Sequence, residues 1–229
     1  MRRDKRSPTN LVMLDPIRLS FALLPLGAYL SVMGMLRWRK HPTVLSRSFD
    51  LLLLGMGMAG MIAVGPIELF FPRAAYSLVG NWVWLILLSL YFLVLLLIVF
   101  HVPPGVVVYG MRQERLRKLL EKGLTDREVP FSFQGDAIRM ESIGIHALLL
   151  DAGARDVAAL QAIGAKQNLL EWVRLEQDLS RAVRHEHMES AVQGPLYVTL
   201  SSLLFLVAFW FLASDTQSLR DAMAALFSE

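Results

Sequence analysis

The densest grouping of metal-ligating side chains in the sequence is His185-Glu186-His187, with Glu189 close behind. On a regular helix His185 and Glu189 stand one turn apart, so an imidazole and a carboxylate could share a divalent cation. His187 would point elsewhere, and the simpler reading is a solvated, charged helix end. A second candidate is Glu68, the one acidic residue inside the four long apolar runs of the chain. An ionisable group within a membrane marks a proton or cation path by default. Glu68 nevertheless lies just before Phe71-Pro72-Arg73, which favours an interfacial carboxylate. Third, Gly110 precedes an expected helix start with Arg112 and Arg115 nearby, and the N–H groups of such a start can hold an anion. A strand-to-helix turn accounts for the same residues.

Two other patterns carry less. Gly55-Met56-Gly57-Met58-Ala59-Gly60 has the glycine spacing of a dinucleotide-binding turn. That chemistry needs a strand before it, a helix opening at it, and an acid ~20 residues on. Here the glycines lie inside an apolar run, and no acidic residue occurs between Glu68 and Glu114. Met56, Met58 and Met61 offer thioethers that suit Cu(I), but at ~100° per residue they diverge around one helix. Flexible packing is their expected role. Zero cysteines exclude disulfides, thiol catalysis and Cys-ligated metals. Nucleophile-elbow, zinc-protease, phosphate-loop, calcium-loop and kinase patterns are missing. No catalytic residue, metal or cofactor is therefore assigned, and a membrane enzyme is the least favoured reading.

The elements that would position such residues follow from composition. Of 229 residues, 55% are apolar and only 19% charged, with a mean hydropathy of +0.46. Soluble domains run near ~45–50% apolar and ~25% charged, so the balance leans toward lipid. Four runs, 19–36, 51–71, 82–100 and 196–213, approach or reach spanning length. At ~1.5 Å per residue each covers about 30 Å, the depth of a hydrocarbon core. Backbone groups in that core must be satisfied within the segment, so helices are expected. The first run is the least regular because Pro25 interrupts it. No small-residue cleavage site follows it, and Arg37, Trp38, Arg39 and Lys40 read instead as a membrane-border stop.

Basic residues stay on the cytoplasmic side during insertion. Four spans with the long segment 101–193 inside place 16 Lys and Arg inside and 7 outside. A re-entrant first run would make the split 21 to 2; charge prefers that arrangement, whereas length and apolarity prefer four spans. Four are expected, in a multi-pass protein of the cell inner membrane. Trp82, Trp84 and Trp210 would form an outer aromatic belt.

Helices in lipid associate through close packing at small residues. Gly27, Ser31 and Gly34 line one face of the first helix, and Gly55, Ala59 and Ala63 one face of the second. These two stripes are expected to meet.

The segment 101–193 changes character. Val106–Tyr109 reads as a strand, followed by a helix with Leu116, Leu119, Leu120 and Leu124 on one face. Phe131–Phe133 and Ala137–Met140 flank a Gln-Gly-Asp turn, and Ile145–Leu150 is β-like. Val157–Ile163 is Ala-rich and could be strand or helix. Asn168 with Glu171 forms a capping pattern, opening a helix whose apolar face is Leu169, Trp172, Leu175, Leu179, Ala182 and Val183. The expected order is βαβββα, a small cytoplasmic α+β domain between the third and fourth spans, after a basic N-terminal segment 1–18 and before a tail 214–229. On its first helix Arg115, Lys118 and Lys122 share a face that could lie against lipid headgroups or in solvent.

From Val106 to Ser190 there are 12 basic and 13 acidic residues. That near-neutral domain lacks the basic face nucleic acid would need. The sequence thus points to a non-catalytic multi-pass protein, an adaptor, assembly or regulatory subunit. Its expected partners are the bilayer and another protein or a second copy. A small transporter or channel subunit using Glu68 is the alternative.

Overall fold

Each apolar run becomes a helix, and what ends each one is local chemistry. The computed structural model describes residues 16–39, 41–67, 82–151, 156–164, 167–186 and 193–214. Helix α1 (Pro16–Trp38) runs straight through Pro25. Ser46 caps α2 (Arg47–Ile62) by accepting the Phe49 N–H at 3.2 Å, and a π-turn (Ala63–Ile67) continues it. Helices α3 (Trp82–His101) and α6 (Gln193–Ser214) complete the apolar set. Among the described residues three helical segments are long and apolar enough to cross a membrane, Leu19–Trp38, Arg47–Gly65 and Gly194–Ser214. The apolar part of α3, Leu85–His101, is shorter.

The glycine stripes do not meet as expected. Gly27, Ser31 and Gly34 face α6, not α2. A Cβ on Gly34 would lie 2.7 Å from Val198 Cγ2, and one on Gly27 would lie 3.3 Å from the Phe205 ring. Ser31 shares a 2.5 Å hydroxyl contact with Ser201, whose hydroxyl reaches the Gly27 carbonyl at 2.9 Å. Ser20, fully buried, donates to the Ala208 carbonyl at 3.0 Å. Such interhelical bonds contribute roughly 0.6 kcal/mol each in membrane proteins. On α2, Gly55 faces α3 instead: a Cβ there would strike Leu95, and the Tyr91 hydroxyl donates to the Gly55 carbonyl at 2.7 Å. The α1 contact belongs to Gly57 and Gly60, beside Tyr29 and the Phe21 carbonyl respectively. Pro25 has no N–H to offer the carbonyl four residues before it, which is that of Phe21. Gly60 admits this carbonyl where a larger residue would not. All three glycines of the dinucleotide-like spacing therefore serve helix packing.

Among the described residues six antiparallel strands form, β1 (Thr43–Ser46) from the α1–α2 connection and, from the polar segment, β2 (Gly105–Tyr109), β3 (Ser132–Gln134), β4 (Ala137–Met140), β5 (Ile145–Asp151) and β6 (Val157–Ala162). Their order in the sheet is β1-β2-β6-β5-β4-β3. The Ala-rich run is thus a strand, central in the sheet, where small side chains suit burial on both faces. The expected order counted neither this strand nor β1, which comes from the α1–α2 connection and pairs Thr43 with Tyr109 and Ser46 with Val106. Gly135 turns β3 into β4 at φ +62°.

Alternation sorts the strand residues onto two faces. Val106, Val108, Ile138, Ala147, Leu149 and Leu160 pack under α4 (Gln113–Asp126) and α5 (Leu169–Val183). From the helices come Leu116, Leu120 and Leu124, then Trp172, Leu175, Leu179 and Val183. Asn168 caps α5 by accepting the Glu171 N–H at 3.4 Å. Leu169 departs from the expected face and is 65% exposed. The opposite face, with Val107, Tyr109 and Val157, packs on Met33, Tyr29 and Leu36 of α1, Leu53 of α2 and Tyr197 of α6. The result is three layers: outer helices, sheet, and the ends of the apolar helices.

Candidate functional site

Where the sheet meets the apolar helices, polar chemistry collects in an otherwise apolar junction. Arg37 ends α1, buried to 8% exposure. Its guanidinium lies 4.6 Å from the Tyr197 ring of α6 and 5.5 Å from the Tyr109 ring of β2. Gly194 makes this approach possible, since a Cβ there would lie 2.9 Å from the Trp38 nitrogen. Tyr109 in turn donates its hydroxyl to Asp50 Oδ1 at 2.6 Å, in the first turn of α2. Burial first, and then the hydrogen bond to the Asp50 carboxylate, push the Tyr109 hydroxyl well above its ordinary value. It stays protonated and donates throughout the physiological range.

Beside this cluster a cleft of about 460 Å³ opens between the sheet and α2. Its lining has the charged residues Arg37, Arg47, Asp50 and Asp151, with Leu51 and Leu54 of α2 and Val102, Val107 and Leu150 as apolar wall. Strand β2 begins with glycine beside this cleft, where a Cβ on Gly105 would lie 2.7 Å from the Leu160 carbonyl oxygen, and the Arg47 stem passes at ordinary contact distance.

The residues singled out by sequence fall elsewhere. Helix α5 ends at Val183, and His185 follows it in a turn, exposed. Glu189 and His187 lie outside the described residues, as do Glu68 and Lys40. Among the described residues no three His, Cys, Asp or Glu side chains come together as a metal site. Gly110 adopts φ +87° and donates its N–H to the Asp156 carbonyl at 2.7 Å, so this amide is engaged within the turn. An open polar cleft of about 380 Å³ beside it has Arg112 and Gln113 but also Glu114 and Asp151, a mixed lining poorly suited to an anion. Arg115 pairs with Glu186 at 2.5 Å. Lys118 and Lys122 are exposed on α4, which packs on the sheet face opposite the one that meets α1, α2 and α6. Arg37, expected at a membrane border, is enclosed by the two tyrosines; Trp38 and Arg39 are exposed. Trp82 and Trp210 are exposed at 65% and 73%; Trp84 lies within α3. Met56, Met58 and Met61 are exposed as well. Ala59 and Ala63 are half-buried.

Sequence reasoning missed Arg47, Asp50, Tyr109, Asp151 and Tyr197. One signal was available: Asp50 is an acid set directly against the start of an apolar run. The chain matches no protein-family model, no curated protein and no solved structure. What the geometry defines is a bundle of apolar helices carrying an antiparallel sheet docked across their ends.

Proposed function

We propose that this is a multi-pass protein of the cell inner membrane, crossing it four times, with its α+β domain in the cytoplasm. It acts without catalysis, as an adaptor, assembly or regulatory subunit. The junction carries this reading. A strand from the α1–α2 connection completes the sheet, and Arg37 is held between a sheet tyrosine and a helix tyrosine. A domain fixed this way presents its surface in one orientation. Load on that surface reaches the helices through packed side chains rather than a slack linker. The C-terminal ends of α1 and α3 and the N-terminal ends of α2 and α6 all lie at the sheet. The larger share of Lys and Arg on that side supports a cytoplasmic placement.

The partner is another protein or a second copy, and its contact is Leu169, Leu170 and Val173. They are exposed at 65%, 74% and 52% on α5, outside the candidate spans. Apolar groups exposed together in this way mark interaction surfaces. Because the chain has no cysteine, Leu170→Cys supplies a single thiol for a short cysteine-to-amine cross-linker in native membranes. A product larger than the monomer is expected from Leu170→Cys and not from Lys122→Cys. Monomer alone from a fully reactive Leu170→Cys overturns the assignment.

A further inference from the structure

We propose that the outer face of α3 pairs with the same face of a second copy of this chain, with Ser89 at the centre of the contact. This rests on the membrane reading above and deepens it by naming a partner within the bilayer. Among the described residues α3 packs on α2 along one stripe. Leu87 and Leu95 are buried there, and the Tyr91 hydroxyl reaches the Gly55 carbonyl. At ~100° per residue Ser89, two positions from both Leu87 and Tyr91, points away from that stripe. It is exposed and stands well inside α3, with apolar residues on both sides of it in the chain. Exposed hydroxyls on α6 are satisfied by their own helix: Thr199 donates to the Leu196 carbonyl at 2.9 Å and Ser202 to the Val198 carbonyl at 2.8 Å. The Ser89 hydroxyl has no such bond among the described residues. With no water to meet it in hydrocarbon, it needs a group from a neighbouring helix.

The chemistry of that hydroxyl selects the occupant. It both donates and accepts, so Ser89 complements itself across a twofold axis. Two copies enter the membrane the same way round, so the axis runs along the membrane normal and α3 meets α3 in parallel, each residue opposite its own copy. The chain already uses this pairing, since Ser31 of α1 meets Ser201 of α6 hydroxyl to hydroxyl. Leu85, Phe92 and Leu96 share the face with Ser89 at i−4, i+3 and i+7. That is the spacing of a helix seam, in which a single polar position fixes the register. A partner presenting only leucines would leave Ser89 unmet.

The full chain, which has no native cysteine, is made with two tags of different mass in the same cells, and native membranes are treated with a mild thiol oxidant. Leu85→Cys and Leu96→Cys are expected to give disulfide-linked dimers that include the mixed-tag species. Leu90→Cys, exposed but about 100° round the helix from Ser89, should stay monomeric. Energy transfer between labelled copies in lipid vesicles measures the affinity. Ser89→Ala should weaken it about threefold, the worth of one interhelical hydrogen bond, and Ser89→Thr should preserve it. Monomer alone at both face positions, products without the mixed-tag species, equal cross-linking of Leu90→Cys, or unchanged affinity of Ser89→Ala overturns the proposal. Failure of the adaptor contact looks different, because Leu170→Cys would stay monomeric while α3 still cross-links. A chain recovered in the soluble fraction would overturn the membrane reading, and the pairing with it.

Discussion

Replacing Tyr109 by Phe removes one oxygen and takes from Asp50 the donor that sits 2.6 Å away. A half-buried carboxylate that loses its hydrogen bond costs about 1–3 kcal/mol, so Tyr109→Phe should lower the thermal midpoint in detergent at neutral pH. The pH dependence has a definite sign. The hydroxyl is held above its ordinary value in the folded chain by burial and by Asp50. The stability it contributes is therefore complete below about pH 10, the unfolded value, and is lost as pH rises beyond it. Wild type should lose stability through that alkaline window, and Tyr109→Phe should lose less. Parallel alkaline curves for the two proteins would contradict this account of the junction. Arg37 stands on the same contacts: its charge is favourable beside two aromatic faces, and this also explains why a residue expected at a lipid border is enclosed.

Packing between helices is decided by which glycines face which neighbour, and this can be tested one methyl at a time. Gly57→Ala places a Cβ 2.5 Å from Tyr29 Cβ, an overpacking that should cost about 1–3 kcal/mol. Gly123→Ala on α4 meets nothing within 4 Å and should be neutral or stabilising by up to ~1 kcal/mol, because Ala is the better helix former. Thermal unfolding in one detergent measures both; a Gly57→Ala midpoint equal to wild type would remove the α1–α2 contact. The same helices show what the sequence could reveal. Apolar run length is a local property, so all four apolar helices and four strands of the α+β segment were legible within a few residues, whereas the Ala-rich run that forms β6 was open between strand and helix. Asn168 with Glu171 even located a helix start. Spacing also found that Gly27, Ser31 and Gly34 share a face, but a face does not name its partner. That partner is α6, far along the chain. Strand β1 was hidden for a related reason: Thr43–Ser46 is only four residues long, beside a basic border, and becomes a strand by pairing with β2. The cleft has residues from α1, α2, β2, β5 and β6, so no motif with fixed spacing could have exposed it.

For the molecule as a whole, the unresolved choice from sequence was whether the first apolar run crosses the membrane or turns back within it. Charge favoured turning back, since five basic residues precede Leu19. Contacts along α1 argue the other way. It meets α6 at Ser20 with Ala208, at Gly27 with Phe205, at Ser31 with Ser201 and at Gly34 with Val198. Those contacts extend from Ser20 to Gly34 of α1, a rise of about 21 Å at ~1.5 Å per residue. A helix that follows α6 so far shares its depth, and a re-entrant segment would have parted from it near the middle. In the four-span arrangement proposed above, the sheet lies on one side, with the start of α1 and the end of α6 on the other. In a chain without native thiols, Ile17→Cys and Ser214→Cys should react with an impermeant maleimide applied outside cells whose outer barrier, if present, is permeabilised. Lys122→Cys should react only after the inner membrane is opened. Protection of Ile17→Cys alone would restore the re-entrant helix. Labelling of Lys122→Cys from outside would reverse the orientation and separate the sheet from the cytoplasm.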